Sequence, residues 1–242
     1  MKICGFQKTT LLDYPQHVAA TVFTGGCNFR CPFCHNAGLA MANIKLPDSN
    51  VDDNVFPEEE VFAHLKKRRN ILDGVCITGG EPTLQPDLEE FIGRIRALGY
   101  KVKLDSNGYC PDILRKLLER GLLDYIAMDV KASKANYARA AGLDGGTGFS
   151  IERIEDSVAL IKGSGIAYEF RTTAVKGLHT VEEFDDIARW LEGSEAYFIQ
   201  SYKADGDILQ GDGLGSFTTD ELRRMRELAS KYISHVELRG VE

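Results

Sequence analysis

Short apolar runs and one-sided helical patterns alternate along this chain. Val18-Ala19-Ala20-Thr21-Val22-Phe23 is apolar and partly β-branched, the pattern of a strand buried on both faces. Comparable runs recur at 74–78, 101–105, 125–130, 167–172 and 196–200. Between them the apolar period lengthens. Leu88, Phe91, Ile92, Ile95 and Leu98 share one face of a predicted helix, stopped by Gly99. Pro111 opens another, with Ile113, Leu114, Leu117 and Leu118 facing inward and Gly121 at its end. Further helices are predicted over 57–69, 151–162, 181–191 and 218–232. Thr180 and Glu183 have the spacing of a capping box.

This order predicts an α/β fold: a parallel sheet with outer helices. A complete eight-stranded barrel needs roughly 250 residues, so about six βα units imply an open, partial (β/α)6 barrel. The segment 1–15 and a last strand candidate at 235–239 would flank it. No linker interrupts the pattern, so residues 1–242 read as one domain, an N-terminal extension (1–15) and a core (16–240). Polar and small residues gather where strands end. They are Gly25-Gly26-Cys27, Gly79-Gly80-Glu81-Pro82, Asp105-Ser106-Asn107-Gly108, and Asp129 with Lys131. In parallel α/β proteins these ends share one face and build the site, which points to an enzyme.

Composition narrows the chemistry. The hydrophobic share of 43 % permits a sizeable core, and the net charge of −7 excludes a general nucleic-acid binder. No apolar run is long enough for a bilayer, and residues 1–7 lack the pattern of a signal peptide. The expected location is cytoplasmic. Three of the six cysteines fall within eight residues, as Cys27-Asn28-Phe29-Arg30-Cys31-Pro32-Phe33-Cys34. In a cytoplasmic chain such clustering suggests metal, while Cys4, Cys76 and Cys110 read as small buried hydrophobes. A structural zinc site takes four protein ligands. No fourth cysteine has a partner spacing, and the ring of His35 would have difficulty reaching the same metal. Three thiolates suit a 4Fe-4S cluster with one iron open to a small molecule. Zinc remains the alternative.

C-x3-C-x2-C after the first strand, with an aromatic before the last cysteine, resembles the radical S-adenosylmethionine superfamily. Thr78-Gly79-Gly80-Glu81-Pro82 is similar to that family's Gly-Gly-Glu turn. The resemblance implies a 4Fe-4S cluster on Cys27, Cys31 and Cys34. Its open iron would bind the amino and carboxylate groups of S-adenosylmethionine. Cleavage of the S–C5′ bond by one electron would then give a 5′-deoxyadenosyl radical.

A closer resemblance covers nearly the whole chain. Gly5-Phe6-Gln7-Lys8-Thr9-Thr10-Leu11-Leu12-Asp13-Tyr14-Pro15, the stretch from Phe23 through Cys34-His35-Asn36, and Tyr125-Ile126-Ala127-Met128-Asp129-Val130-Lys131 are similar to activating enzymes of anaerobic ribonucleoside-triphosphate reductase. The related pyruvate formate-lyase activating enzymes share Cys-His-Asn, Asp-x-Asn-Gly and Asp-x-Lys. The resemblance implies hydrogen abstraction from a glycine of a large partner, the reductase large subunit, with a flavodoxin- or ferredoxin-like electron donor. It places Phe33 by the adenine, with His35 beside it, and makes Gly79, Gly80 and Glu81 a cradle for the methionine part. It puts Asp105, Asn107, Asp129 and Lys131 at the cofactor, with Lys131 on its carboxylate and a monovalent cation near Asp105 and Asp129. Arg171 is a further candidate for a carboxylate contact. Plainer alternatives are a core aromatic for Phe33, an ion pair for Asp129 and Lys131, turn formation for Ser106 and Asn107, and a salt bridge for Arg171.

One departure stands out. The pyruvate formate-lyase activase has a ribose-contacting histidine after its sixth strand; here Tyr202-Lys203 stand there. His35, His64 and His179 show no pattern of a general base. The polar connection 37–56 would gate or bind, or else be disordered without function. Competing readings are an activase of the pyruvate formate-lyase type, a small-molecule radical enzyme such as 7-carboxy-7-deazaguanine synthase, and a non-catalytic metal module.

Overall fold

The predicted alternation is realised as an α/β chain in which every pairing within the two units described below, save that of the first strand, is parallel. The structure, a computed structural model, describes residues 1–42, 55–143, 148–204 and 208–241. It divides into two units. The first comprises Met1–Asn28, Gly38–Ser106 and Cys110–Ile126; the second comprises Phe29–Ala37, Asn107–Tyr109 and Ala127–Glu242.

In the first unit, β1 (Ile3–Thr10) pairs antiparallel with β2 (Ala19–Thr24). β2 pairs parallel with β3 (Gly74–Gly79), and β3 with β4 (Lys101–Ser106). The buried strands are those with continuous apolar runs. The segment 1–15, expected to flank the core, carries the strand β1. Its pattern hid it: Gly5, Gln7, Lys8 and Thr9 interrupt the apolar run, and most of β1 is only half-buried or exposed. The short α1 (Ala37–Ala40) follows the cysteine motif. Then come α2 (Glu58–Lys67), α3 (Leu88–Ala97) and α4 (Pro111–Glu119). α3 buries Leu88, Phe91, Ile92 and Ile95; full burial of such side chains contributes about 1.5–3 kcal/mol each. α4 buries Leu114 and Leu117, whereas Ile113, expected inward, is 37 % exposed.

β5 (Tyr125–Asp129) gives its first two residues to the first unit and the rest to the second. The second unit continues with α5 (Tyr137–Ala140), α6 (Ile151–Lys162), β6 (Ala167–Ala174), α7 (Glu183–Trp190), β7 (Tyr197–Ser201), α8 (Thr219–Ala229) and β8 (Val236–Arg239). β6, β7 and β8 run parallel, and Phe170, Phe184, Ile187, Ile199 and Met225 fill their core. α8 starts on a complete capping box of Thr218 and Glu221. At α7 only half of the predicted box forms. Thr180 Oγ1 accepts from the Glu183 N–H at 3.3 Å, but the Glu183 carboxylate is engaged by Ser133. Most of the connection expected to gate the site, residues 43–54, lies outside the described residues. Among the described residues no helix is long and apolar enough to cross a membrane.

Candidate functional site

In the first unit the ends of β2 and β3 meet backbone to backbone. Gly79 has φ +121°, and a Cβ there would stand 2.4 Å from both N and O of Thr24. A Cβ on Gly80 would stand 2.1 Å from the Gly26 carbonyl oxygen. Only glycine fits either place. The Gly80 N–H donates to Thr24 O at 2.9 Å, and the Glu81 N–H to Gly26 O at 2.8 Å. The turn is thereby pinned to Thr24 and Gly26, on the run that leads into Cys27. The Glu81 carboxylate is 1 % exposed. Its Oε1 accepts from the Thr83 N–H at 3.1 Å, the Thr83 hydroxyl at 2.6 Å and the Ser106 hydroxyl at 2.9 Å. The Glu81 side chain braces the turn, and the turn's backbone is what it can offer to a ligand. Asp105 pairs with Lys103, an ammonium only 2 % exposed that lies 3.8 Å from the Cys76 thiol. Cys76 is buried as expected; Cys4 and Cys110 are only half-buried.

In the second unit the cysteine loop is held from two sides and closed by one bond of its own. The Arg30 N–H donates to Ala141 O at 2.8 Å, the Cys34 N–H to Cys31 O at 3.0 Å, and the Gln210 N–H to Pro32 O at 2.9 Å. Gly142, at φ +67°, allows this approach, because a Cβ there would stand 1.9 Å from the Arg30 carbonyl oxygen. Cys31 and Phe33 are buried, and Cys34 is half-buried. His35 is exposed, its ring 5.7 Å from that of Tyr202. Asn107 is buried, and its Oδ1 accepts from the Tyr109 N–H at 3.0 Å, so it forms its turn.

The charges sit at the ends of β5 and β6. Asp129 accepts from Arg171 Nε at 2.9 Å and from Lys131 Nζ at 3.1 Å. Burial pushes the Asp129 carboxyl up, but Arg171 and Lys131 outweigh it and hold it below the usual carboxylate range. Burial pulls Lys131 down, and Asp129 and Cys31 outweigh that in turn, leaving its ammonium well above its usual range. Both groups stay ionised at neutral pH. The Lys131 ammonium lies 6.0 Å from the centre of the Phe33 ring. Arg171 also approaches buried Glu169 at 3.9 Å, and Glu169 takes Arg239 with both oxygens at 2.8 Å. Two cations thus face the one carboxylate of Asp129, and Lys103 faces Asp105.

Sequence reasoning missed what holds the Lys131 segment. His179 is 5 % exposed; its Nδ1 accepts from the Val175 N–H at 3.0 Å, and its Nε2 lies 2.8 Å from Lys131 O. Glu183 takes the N–H and hydroxyl of Ser133 at 2.9 and 2.7 Å. The sequence offered Glu183 only as the far end of a capping box with Thr180, and His179 only as a histidine without the pattern of a general base.

The donor set fits an iron-sulfur cluster. Among the described residues the six cysteines form no disulfide. No three His, Cys, Asp or Glu side chains converge there as a site for a single ion. In a cluster each thiolate takes a different iron, so convergence on one point is not required.

The family model of the radical SAM superfamily matches residues 21–191. A Methanocaldococcus jannaschii protein named for glycyl-radical enzyme activation is 30 % identical over 241 residues, 99 % of this chain and 96 % of its own length. A second protein of that organism, with the same kind of name, is 28 % identical over 89 % of this chain and 78 % of its own. Among solved structures, a radical SAM methyltransferase from Sphaerobacter thermophilus superposes with a TM-score of 0.67 at 15 % identity. It covers 93 % of this chain and 67 % of that one.

Proposed function

The chain belongs to the radical SAM superfamily and, within it, to a family of glycyl-radical enzyme activating enzymes, and from that membership we propose that it activates an anaerobic ribonucleoside-triphosphate reductase. The observation that carries the activase reading is the end-to-end match: 99 % of this chain against 96 % of a relative named for such activation. The narrower target rests on residues 5–15 and 125–131, which are similar to activases of that reductase.

Cys27, Cys31 and Cys34 would hold the cluster, which supplies the electron that cleaves S-adenosylmethionine. Lys131 and Arg171 would offer cations to the cofactor's carboxylate, with Asp129 pairing both. The backbone carbonyls at Gly79 and Gly80 would accept from its ammonium. Phe33 would give the adenine an apolar surface. None of these residues needs to move a proton, because the reaction on the target is transfer of a hydrogen atom from a glycine Cα. Their task is to orient the cofactor and exclude water. A flavodoxin- or ferredoxin-like protein is the proposed electron donor.

The test is electron paramagnetic resonance. Reconstituted, reduced protein is incubated anaerobically with S-adenosylmethionine and the reductase large subunit, and a glycyl doublet is expected. A doublet obtained only with a pyruvate formate-lyase-type target would move the assignment to that activase. Absence of a doublet with any glycyl-radical enzyme would refute the activase reading.

A further inference from the structure

His179 stands where β6 hands over to α7, and both its ring nitrogens are committed to backbone. The Val175 amide can only donate, so Nδ1 accepts and the hydrogen sits on Nε2. Nε2–H then donates to the Lys131 carbonyl at 2.8 Å. The ring is therefore a neutral, single-tautomer bridge from the loop after β6 to residue 131. Four residues on, Glu183 Oε1 takes both donors of Ser133. The segment 131–133 is thus fastened at two points by a His and a Glu four residues apart. The His179 ring meets the Phe33 ring edge-on at 6.5 Å and the Phe184 ring at 5.9 Å. One buried imidazole touches both Phe33 and the backbone of Lys131.

We propose that His179 is a positioning residue that sets Lys131 and Phe33 for S-adenosylmethionine, with Glu183 bracing the same segment. The inference rests on the reading above that these two residues meet the cofactor. A lysine ammonium rides on a flexible four-carbon stem. Its reach is defined only when its backbone is fixed and its head is paired. Asp129 pairs the head, and His179 fixes the backbone. A histidine that merely filled the core would satisfy its nitrogens without joining two groups of one site.

The test compares His179→Asn with His179→Gln in reconstituted holoenzyme. The asparagine carbonyl keeps an acceptor for the Val175 N–H, but its amide falls short of Lys131 O. Glutamine is long enough to donate there. S-adenosylmethionine is titrated with two readouts: the change it causes in the resonance of the reduced cluster, and kcat and KM for 5′-deoxyadenosine release. His179→Asn should need about tenfold more cofactor in both, with kcat within about twofold, the size of one lost buried hydrogen bond. His179→Gln should restore most of the difference. Ser133→Ala removes one of two donors to Glu183, keeps the backbone one, and should raise the requirement about threefold. These last two variants carry the test should His179→Asn not fold. Unchanged cofactor dependence in every folded variant, with only stability lowered, overturns the proposal. Failure of the wild-type protein to release 5′-deoxyadenosine overturns the functional reading instead, and the inference with it.

Discussion

At the scale of single residues, charge and burial decide what each group does. Asp129 is the hinge of its cluster, because Lys131 and Arg171 both lean on it. Asp129→Asn would remove the carboxylate that both cations share. Loss of about 1–3 kcal/mol in urea unfolding is expected, discounted from the fully buried case because the side chain is 32 % exposed. A rise in KM for S-adenosylmethionine of about tenfold or more should accompany it. His179 supplies a pH signature. Burial pushes its imidazole below the ordinary range; the bond to Lys131 O and the charge of Glu183 oppose this, while Arg139 adds to it. The unfolded chain takes up a proton near pH 6.5, about the free histidine value, whereas the folded one does so only at lower pH. Stability is therefore complete above that pH and falls as pH drops below it. Urea midpoints from pH 7 to 5 should decline less steeply in His179→Gln than in the wild type, and equal slopes would contradict the assignment. His179 was illegible in the sequence because its partners are backbone groups, which leave no residue pattern. The cysteine motif was legible because side-chain chemistry at fixed spacing is itself the signal, and the Asp129–Lys131 ion pair was one of the two readings that Asp-x-Lys offered.

At the scale of elements, legibility followed burial. β2, β3 and β5 carry apolar runs because they are buried, and their predicted limits agree with the structure to within about a residue. β1 is half-exposed and polar-rich, so no periodicity exposed it, and only pairing with β2 makes it a strand. The capping boxes teach the same lesson. Thr218 and Glu221 close theirs at an exposed helix start, whereas Glu183 is drawn away by buried Ser133. Thr218→Ala should cost about 1 kcal/mol in thermal or urea unfolding and leave cofactor cleavage unchanged, since the cap lies in no proposed contact. Gly80→Ala is the opposite case. Its new methyl would meet the Gly26 carbonyl, which belongs to backbone and cannot swing aside. A loss of about 3 kcal/mol or more, with reduced iron uptake because the turn before Cys27 is displaced, is the expected result.

At the scale of the whole molecule, the open question is what receives the radical. The solved neighbour reaches a TM-score of 0.67 at 15 % identity, so the fold alone accommodates different chemistry and does not select a substrate. Selection comes from the end-to-end match to a relative named for activation of a protein target. The two classes of target differ in stoichiometry. A small-molecule enzyme releases product and turns over, so 5′-deoxyadenosine accumulates far beyond the amount of any partner. An activase loads a partner that keeps the radical, and cleavage tied to transfer ends when the partner is full. With excess reductant and S-adenosylmethionine, 5′-deoxyadenosine formed above the partner-free background should rise in step with added reductase. It should approach about one per glycyl radical counted by spin quantitation. A reductase whose radical glycine is replaced by alanine should add nothing to that background. Multiple turnovers on a nucleoside-like small molecule without any protein partner would instead place the chain among the small-molecule radical enzymes, with the same cluster and a different guest.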